Sequence, residues 1–330
     1  MVDGKWWMDS VYYRPVTIYH QLFPHSPLSI FPSNPYLHPM ALQAVNFRIR
    51  ALTSLVFVAV MLVGLLWNQW SFFVLISIIH FGCWIEYQKL LSKIDPSYQE
   101  ISAFQQYGVM IAGWCIMMYC SKEGYATDDF SLHNAGLYGC IIFLFVLPVT
   151  EILYVRKPHL RNMGYSALGL IYISLSLGLL LNLRTFYPAP VLDSINKILV
   201  IMIILSLWVN DTMAYLVGSL IGKTPLTKIS PKKTWEGTIG GILFSVIVMG
   251  VIGYFLSSGF ELQTVSQWMI VAAIASITGT FGDLLQSKLK RAANVKDSGH
   301  IMPGHGGFLD RFDSLLFATP FIWLYIVMFA

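Results

Sequence analysis

Long apolar runs govern what this chain can fold into. A bilayer core of about 30 Å takes about 20 apolar residues as helix. Nine candidate runs lie near 51–67, 70–86, 105–120, 135–154, 164–182, 198–218, 237–257, 266–284 and 314–330. Only Asn68 and Gln69 separate the first two, which predicts a tight helical hairpin. Charged residues make up 12% of the chain, half the roughly 25% of a soluble domain, and the mean hydropathy is +0.62. Water cannot be the solvent for most of this surface. The expected fold is all-α: a polytopic membrane protein with about nine transmembrane helices.

The placement of Lys and Arg in the short loops sets the orientation. Arg48 and Arg50, Lys89 and Lys93, Arg156, Lys157 and Arg161, Lys223 to Lys233, and Lys288 to Arg311 fall on one side. The opposite loops hold Lys122, Arg184 and Lys197. The alternation predicts that the basic side faces the cytoplasm. Residues 1–46 read as an N-terminal extension, 47–197 as N-terminal transmembrane helices and 198–330 as a catalytic transmembrane region. The first 39 residues are proline-rich and have neither a span nor a secretory signal. Met40, shortly before Arg48, is the expected start, with residues 1–39 dispensable. Cys83, Cys115, Cys120 and Cys140 lie in or beside apolar runs without metal-ligand spacing and read as packing residues.

Ionisable groups at membrane depth are costly and mark functional candidates, and here they concentrate between 205 and 314. The run Asn210-Asp211 to Gly218 places Asp211, Tyr215 and Gly218 on one helix face at i, i+4, i+7. It is either a polar contact between helices or a carboxylate facing a site. The loop from Lys223 to Gly237, with Ser230, Lys232 and Lys233, suits phosphate, or else anionic lipid headgroups. Glu236 then pairs with or orients a lysine. If the eighth span continues past Asp283, then Asp283, Ser287 and Lys290 share a stripe. Lys296, Asp297 and Ser298 follow, then Pro303-Gly304-His305-Gly306-Gly307, whose glycines let backbone N–H groups approach an anion. A ninth helix starts near Asp310.

This pattern has a chemical logic. Mg²⁺ takes one or two carboxylates plus phosphate oxygens and water, and Asp283 and Asp310 have the right type and come from different segments. Neighbouring lysines and arginines neutralise phosphate. Each residue also has a plainer reading. Asp310 and Asp313 could cap the ninth helix, Asp283 could be a buried contact, Lys296 and Asp297 a solvated pair, His305 a loop residue bonded to backbone, and Arg311 a salt-bridge partner. Glu86 and Glu151, at span ends, read as structural.

The stretch Ser287-Lys288-Leu289-Lys290-Arg291, then Lys296-Asp297-Ser298-Gly299, then Pro303 to Asp313 resembles the signature of phosphatidate cytidylyltransferases. Asn210-Asp211 and Ser230 to Gly237 also look like that family. The resemblance is dense over roughly 205–315. It implies an all-helical membrane enzyme, often a homodimer, in a bacterial-type inner (plasma) membrane with its site facing the cytoplasm. The phosphate of phosphatidic acid would attack the α-phosphorus of CTP, giving CDP-diacylglycerol and pyrophosphate, without nucleic acid. Asp283 and Asp310 would bind Mg²⁺, with K⁺ nearby, and Lys232, Lys233, Lys290, Arg291 and Arg311 would hold phosphates. A CTP-dependent polyprenol kinase is the alternative enzyme, and a transporter the non-enzyme alternative. A transporter would favour midplane charges and inverted repeats, neither of which the sequence shows.

Overall fold

The computed structural model describes residues 53, 55–121, 125–127, 130–154, 160–187, 193–256, 262–299 and 306–329. The extension expected at 1–46, with the start expected at Met40, lies outside them, as does His305.

Helices occupy all nine predicted spans. They are α1 (Leu55–Leu66), α2 (Gln69–Ile94), α3 (Ala103–Tyr119), α4 (Leu132–Tyr154), α5 (Leu160–Gly169) running through a π-helical turn (Leu170–Leu175) into α6 (Ser176–Arg184), α7 (Asp193–Ile221), α8 (Trp235–Leu256), α9 (Leu262–Ala292) and α10 (Leu309–Phe329). The described residues form no sheet, only the isolated bridges Ala126–Ser131 and Pro225–Thr234. Seven spans are long and apolar enough to cross a bilayer: α2, α4, α5–α6, α7, α8, α9 and α10. The described part of α1 and the 17-residue α3 are shorter.

Local chemistry sets the helix ends. The hairpin expected at Asn68 is closed by a capping box, in which Ser71 N–H donates to Asn68 Oδ1 at 2.7 Å and Asn68 N–H to Ser71 Oγ at 3.1 Å. Such reciprocal caps satisfy N–H groups that a helix start leaves open. A Cβ at Gly64 would come 2.8 Å from that of Leu75, so glycine is what lets α1 close on α2. Ser102 caps α3 with a single bond, its Oγ accepting from Gln105 N–H at 3.1 Å.

Packing follows small residues and apolar stripes. On α8 the buried positions include Gly237, Gly241 and Ser245, four apart on one face. A Cβ at Gly237 would lie 2.6 Å from Ala214 O, and one at Gly241 2.7 Å from Asn210 O. Small residues thus bring the α8 backbone onto α7, as helix pairs in lipid do. Several larger α8 side chains, such as Leu243, Ile247 and Phe255, are exposed, as expected against acyl chains, whereas Met249 is buried. By contrast α2 is central, and Phe72, Ile76, Ile79, Cys83 and Leu90 are buried at helical spacing.

Contacts sort the helix ends into two sets. Arg161 pairs with Asp95 at 3.2 Å, joining the start of α5 to the end of α2. At the other set, Arg184, 1% exposed, pairs with Asp193 at 2.6 Å, and Lys197 reaches the same carboxylate at 2.9 Å. Asn182 ties Cys120 O (2.9 Å) to Trp323 Nε1 (2.8 Å) there. These are the two sides that the charge pattern separated. Helices α7 and α9 have 29 and 31 residues, against about 20 for a span. Counted from their starts, 20 residues end near Asp211 and Asp283. Each helix is therefore longer than one crossing needs, and both carboxylates lie in its later part, toward the end that carries the basic loops.

Candidate active site

The residues that matter come from three helices. Asp211 is on α7, Asp283 and Lys290 on α9, and Asp310, Arg311 and Asp313 on the first turns of α10. All six line one cavity of about 420 Å³. Its remaining wall is mostly apolar and includes Phe57, Val58 and Met61 of α1, Ile204, Leu207 and Trp208 of α7, and Phe312.

A second cavity, of about 570 Å³, lies against the loop between α7 and α8. It is lined by Asn210, Tyr215, Gly218, Ser230, Lys232, Lys233, Thr234, Thr238 and Thr280, among others, and again by Asp211 and Asp283. The predicted face Asp211–Tyr215–Gly218 is therefore real, and it borders this chamber. The two carboxylates belong to both cavities. To that shared pair the second cavity adds hydroxyls and lysines, and the first adds Lys290, Asp310, Arg311, Asp313 and an apolar wall from α1 and α7.

Each acid has basic or amide partners. Lys233 Nζ pairs with Asp283 Oδ2, and Ser287 Oγ–H donates to Asp283 Oδ1 at 3.3 Å. The stripe Asp283–Ser287–Lys290 forms because α9 does continue past Asp283. Lys290 Nζ donates to Asp310 Oδ1 at 2.7 Å. Asp310 Oδ2 accepts from Ser298 N–H at 2.8 Å and Gly307 N–H at 3.2 Å. Gly306 has φ +83°, a conformation natural to glycine, and a Cβ there would lie 2.9 Å from Asp310 Oδ2. The glycines thus let backbone close on a carboxylate of the chain itself.

The α7–α8 loop is held by Glu236. Its carboxylate accepts from Lys223 N–H and Thr224 N–H, each at 3.2 Å. The expected pairing with a lysine side chain is replaced by a bond to a lysine backbone. Thr234 Oγ1 accepts from Gly237 N–H at 3.2 Å and starts α8.

Not every predicted residue converges. Arg291, Lys296 and Asp297 are exposed and line neither cavity. Asp313, read as a possible cap, sits in the second turn of α10, buried, and faces the first cavity. Its spacing of three from Asp310 was the available signal. Glu86, read as structural, is buried, and its carboxylate accepts from Ser298 Oγ–H at 2.6 Å and from Phe308 and Leu309 N–H, each at 2.9 Å.

The donor set suits a hard cation. Four carboxylates and two cationic side chains line the first cavity, and Asp283 carries one more cation in Lys233. Among the described residues no three Asp, Glu, His or Cys side chains form a ready cage. Mg²⁺ binds through one or two carboxylates plus substrate phosphates, so Asp283 and Asp310 are of the type that could hold it.

Fold and site together define an all-α integral membrane protein with an acidic, lysine-flanked pair of cavities that share Asp211 and Asp283. The family model described as "Cytidylyltransferase family" matches residues 48–329, and the chain belongs to that family. It is 30% identical over 218 residues to the phosphatidate cytidylyltransferase of Bacillus subtilis (strain 168), covering 66% of this chain and 76% of that one. With the enzyme of the same name from Staphylococcus haemolyticus (strain JCSC1435) it shares 34% over 195 residues, 59% of this chain and 70% of the relative. A third, from Staphylococcus aureus (strain COL), is 44% identical over 126 residues, 37% of this chain and 46% of the relative.

Proposed function

We propose that the chain transfers the cytidylyl group of CTP to phosphatidic acid, giving CDP-diacylglycerol and pyrophosphate at the cytoplasmic membrane surface. The observation that carries this is the pair of cavities joined at Asp211 and Asp283. A reaction between a water-soluble triphosphate and a lipid phosphate needs two adjoining chambers, one of them with an apolar wall for acyl chain, and a place between them where the reacting phosphates meet. Ser230, Lys232 and Lys233 suit the triphosphate by charge-assisted hydrogen bonds. Phe57, Met61 and Leu207 suit acyl chain, with Lys290 and Arg311 for its phosphate.

In the reaction, a phosphate oxygen of the lipid bonds to the α-phosphorus of CTP. The bond from that phosphorus to the bridging oxygen of the β-phosphate breaks, and pyrophosphate leaves with the electron pair. No side-chain nucleophile is required. Lys233 and Lys290 sit on Asp283 and Asp310, so each is placed to pass from carboxylate to phosphate when substrate arrives. Asp283 and Asp310 are the residues that would hold Mg²⁺, which when bound supplies positive charge to the phosphate oxygens. Exclusion of water by the apolar wall strengthens each of these contacts.

The test uses the purified full chain with labelled CTP, phosphatidic acid and Mg²⁺, scoring both products. CDP-diacylglycerol with pyrophosphate in equal amounts is expected. In a parallel reaction with a polyprenol in place of phosphatidic acid, a phosphorylated alcohol with release of CDP would establish the kinase reading instead.

A further inference from the structure

We propose that Glu86, on α2, is the positioning residue for Asp310. This rests on the reading of Asp310 as a catalytic-site carboxylate. The geometry is a ladder of two carboxylates sharing one strip of backbone. Ser298 is the common rung: its N–H donates to Asp310 Oδ2 at 2.8 Å and its Oγ–H to Glu86 Oε2 at 2.6 Å. The next rungs alternate along three consecutive residues. Gly307 N–H goes to Asp310 Oδ2, whereas Phe308 and Leu309 N–H go to Glu86.

Glu86 therefore fixes the two pieces of backbone that aim hydrogen bonds at Asp310. It also caps the start of α10, on which Asp310 sits in the first turn, where the helix dipole favours a negative group. Gly299 and Gly307 make room for this, since a Cβ at either would collide with the Glu86 carboxylate. A side chain that is 1% exposed and accepts three hydrogen bonds from Ser298, Phe308 and Leu309 is poorly placed for lipid, solvent or substrate. Its remaining task is geometric. Partners that orient a metal-ligating carboxylate cost about 10- to 100-fold in metal affinity or activity when removed.

The experiment compares the full-length protein with Glu86→Gln, Glu86→Asp and Ser298→Ala. Hydrogen exchange read at single-amide level should quicken in Glu86→Gln at Phe308 and Leu309 and also at Ser298 and Gly307, whose backbone N–H groups bond to Asp310 and not to Glu86. Amides of α7 and α8 should keep wild-type rates. The Mg²⁺ concentration for half-maximal turnover should rise about 10- to 100-fold, with the KM for phosphatidic acid unchanged and Glu86→Asp giving a smaller rise. Ser298→Ala, which removes one hydroxyl, should shift both readouts the same way. It decides the matter if Glu86→Gln does not fold. Wild-type exchange at Ser298 and Gly307 in a folded variant, or a loss of turnover with the Mg²⁺ requirement unmoved, overturns the proposal. If the wild type makes no CDP-diacylglycerol, the functional reading falls, and the exchange pattern alone still judges the ladder.

Discussion

Lys233→Met separates a phosphate ligand from a structural ion pair. Lys233 Nζ sits on Asp283, and the two side chains are 28% and 32% exposed. A pair with that much access to water contributes about 0.2–1 kcal/mol to stability, so the melting curve in detergent should barely move. Methionine keeps most of the hydrocarbon stem and creates no cavity. If Lys233 transfers to the triphosphate, its loss removes a charge-assisted bond of about 1.5–3 kcal/mol, or about 10- to 150-fold in kcat/KM for CTP. The loss should fall on CTP far more than on phosphatidic acid, because Lys233 lines only the second cavity. The assay is steady-state kinetics varying each substrate in turn, beside a thermal melt. A large drop in stability with kcat/KM for CTP unchanged would refute the reasoning and leave Lys233 as an ion-pair partner.

Asp310→Asn and Asp283→Asn should each abolish turnover, by at least about a thousandfold on the scale of lost preorganised charge stabilisation, while the protein still folds; near-normal rates in either would remove it from the site. Lys290→Gln should cost far more activity than Arg291→Gln, since only the former lines a cavity, and the ratio of the two rates in one assay checks this. Gly241→Leu should drive α8 off α7, because even a Cβ there meets Asn210 O at 2.7 Å; overpacking of about 1–3 kcal/mol should appear as a lower melting temperature. Met61→Trp, on the apolar wall, should raise the KM for phosphatidic acid and leave that for CTP unchanged.

The spans were legible because lipid imposes a length and a hydropathy that no other fold needs. The Asn68 hairpin was legible because the cap is local, made by residues three apart. Asp211, Asp283 and Lys290 were legible for the same reason, since helical spacing places them on faces that the structure brings together. Glu86 was not. Its partners Phe308 and Leu309 lie 222 and 223 residues away, and nothing around Glu86 distinguishes a loop anchor from any carboxylate at the end of a span. Arg291 shows the opposite failure. It adjoins Lys290 within the motif, yet successive residues on a helix point about 100° apart, so only one of the pair reaches the cavity.

The N-terminal helices, which resemble the family only as apolar segments, are thus part of the site in two ways. Helix α1 supplies Phe57, Val58 and Met61 to the wall of the first cavity, where shape and apolar character are needed and sequence is free to vary. Helix α2 supplies one carboxylate whose three hydrogen bonds leave no such freedom. Tolerance of substitution along α1 and intolerance at Glu86 are expected from the same division of labour. An apolar wall needs only dispersion contacts, whereas a carboxylate that is to hold a cation needs its supporting backbone kept in one geometry.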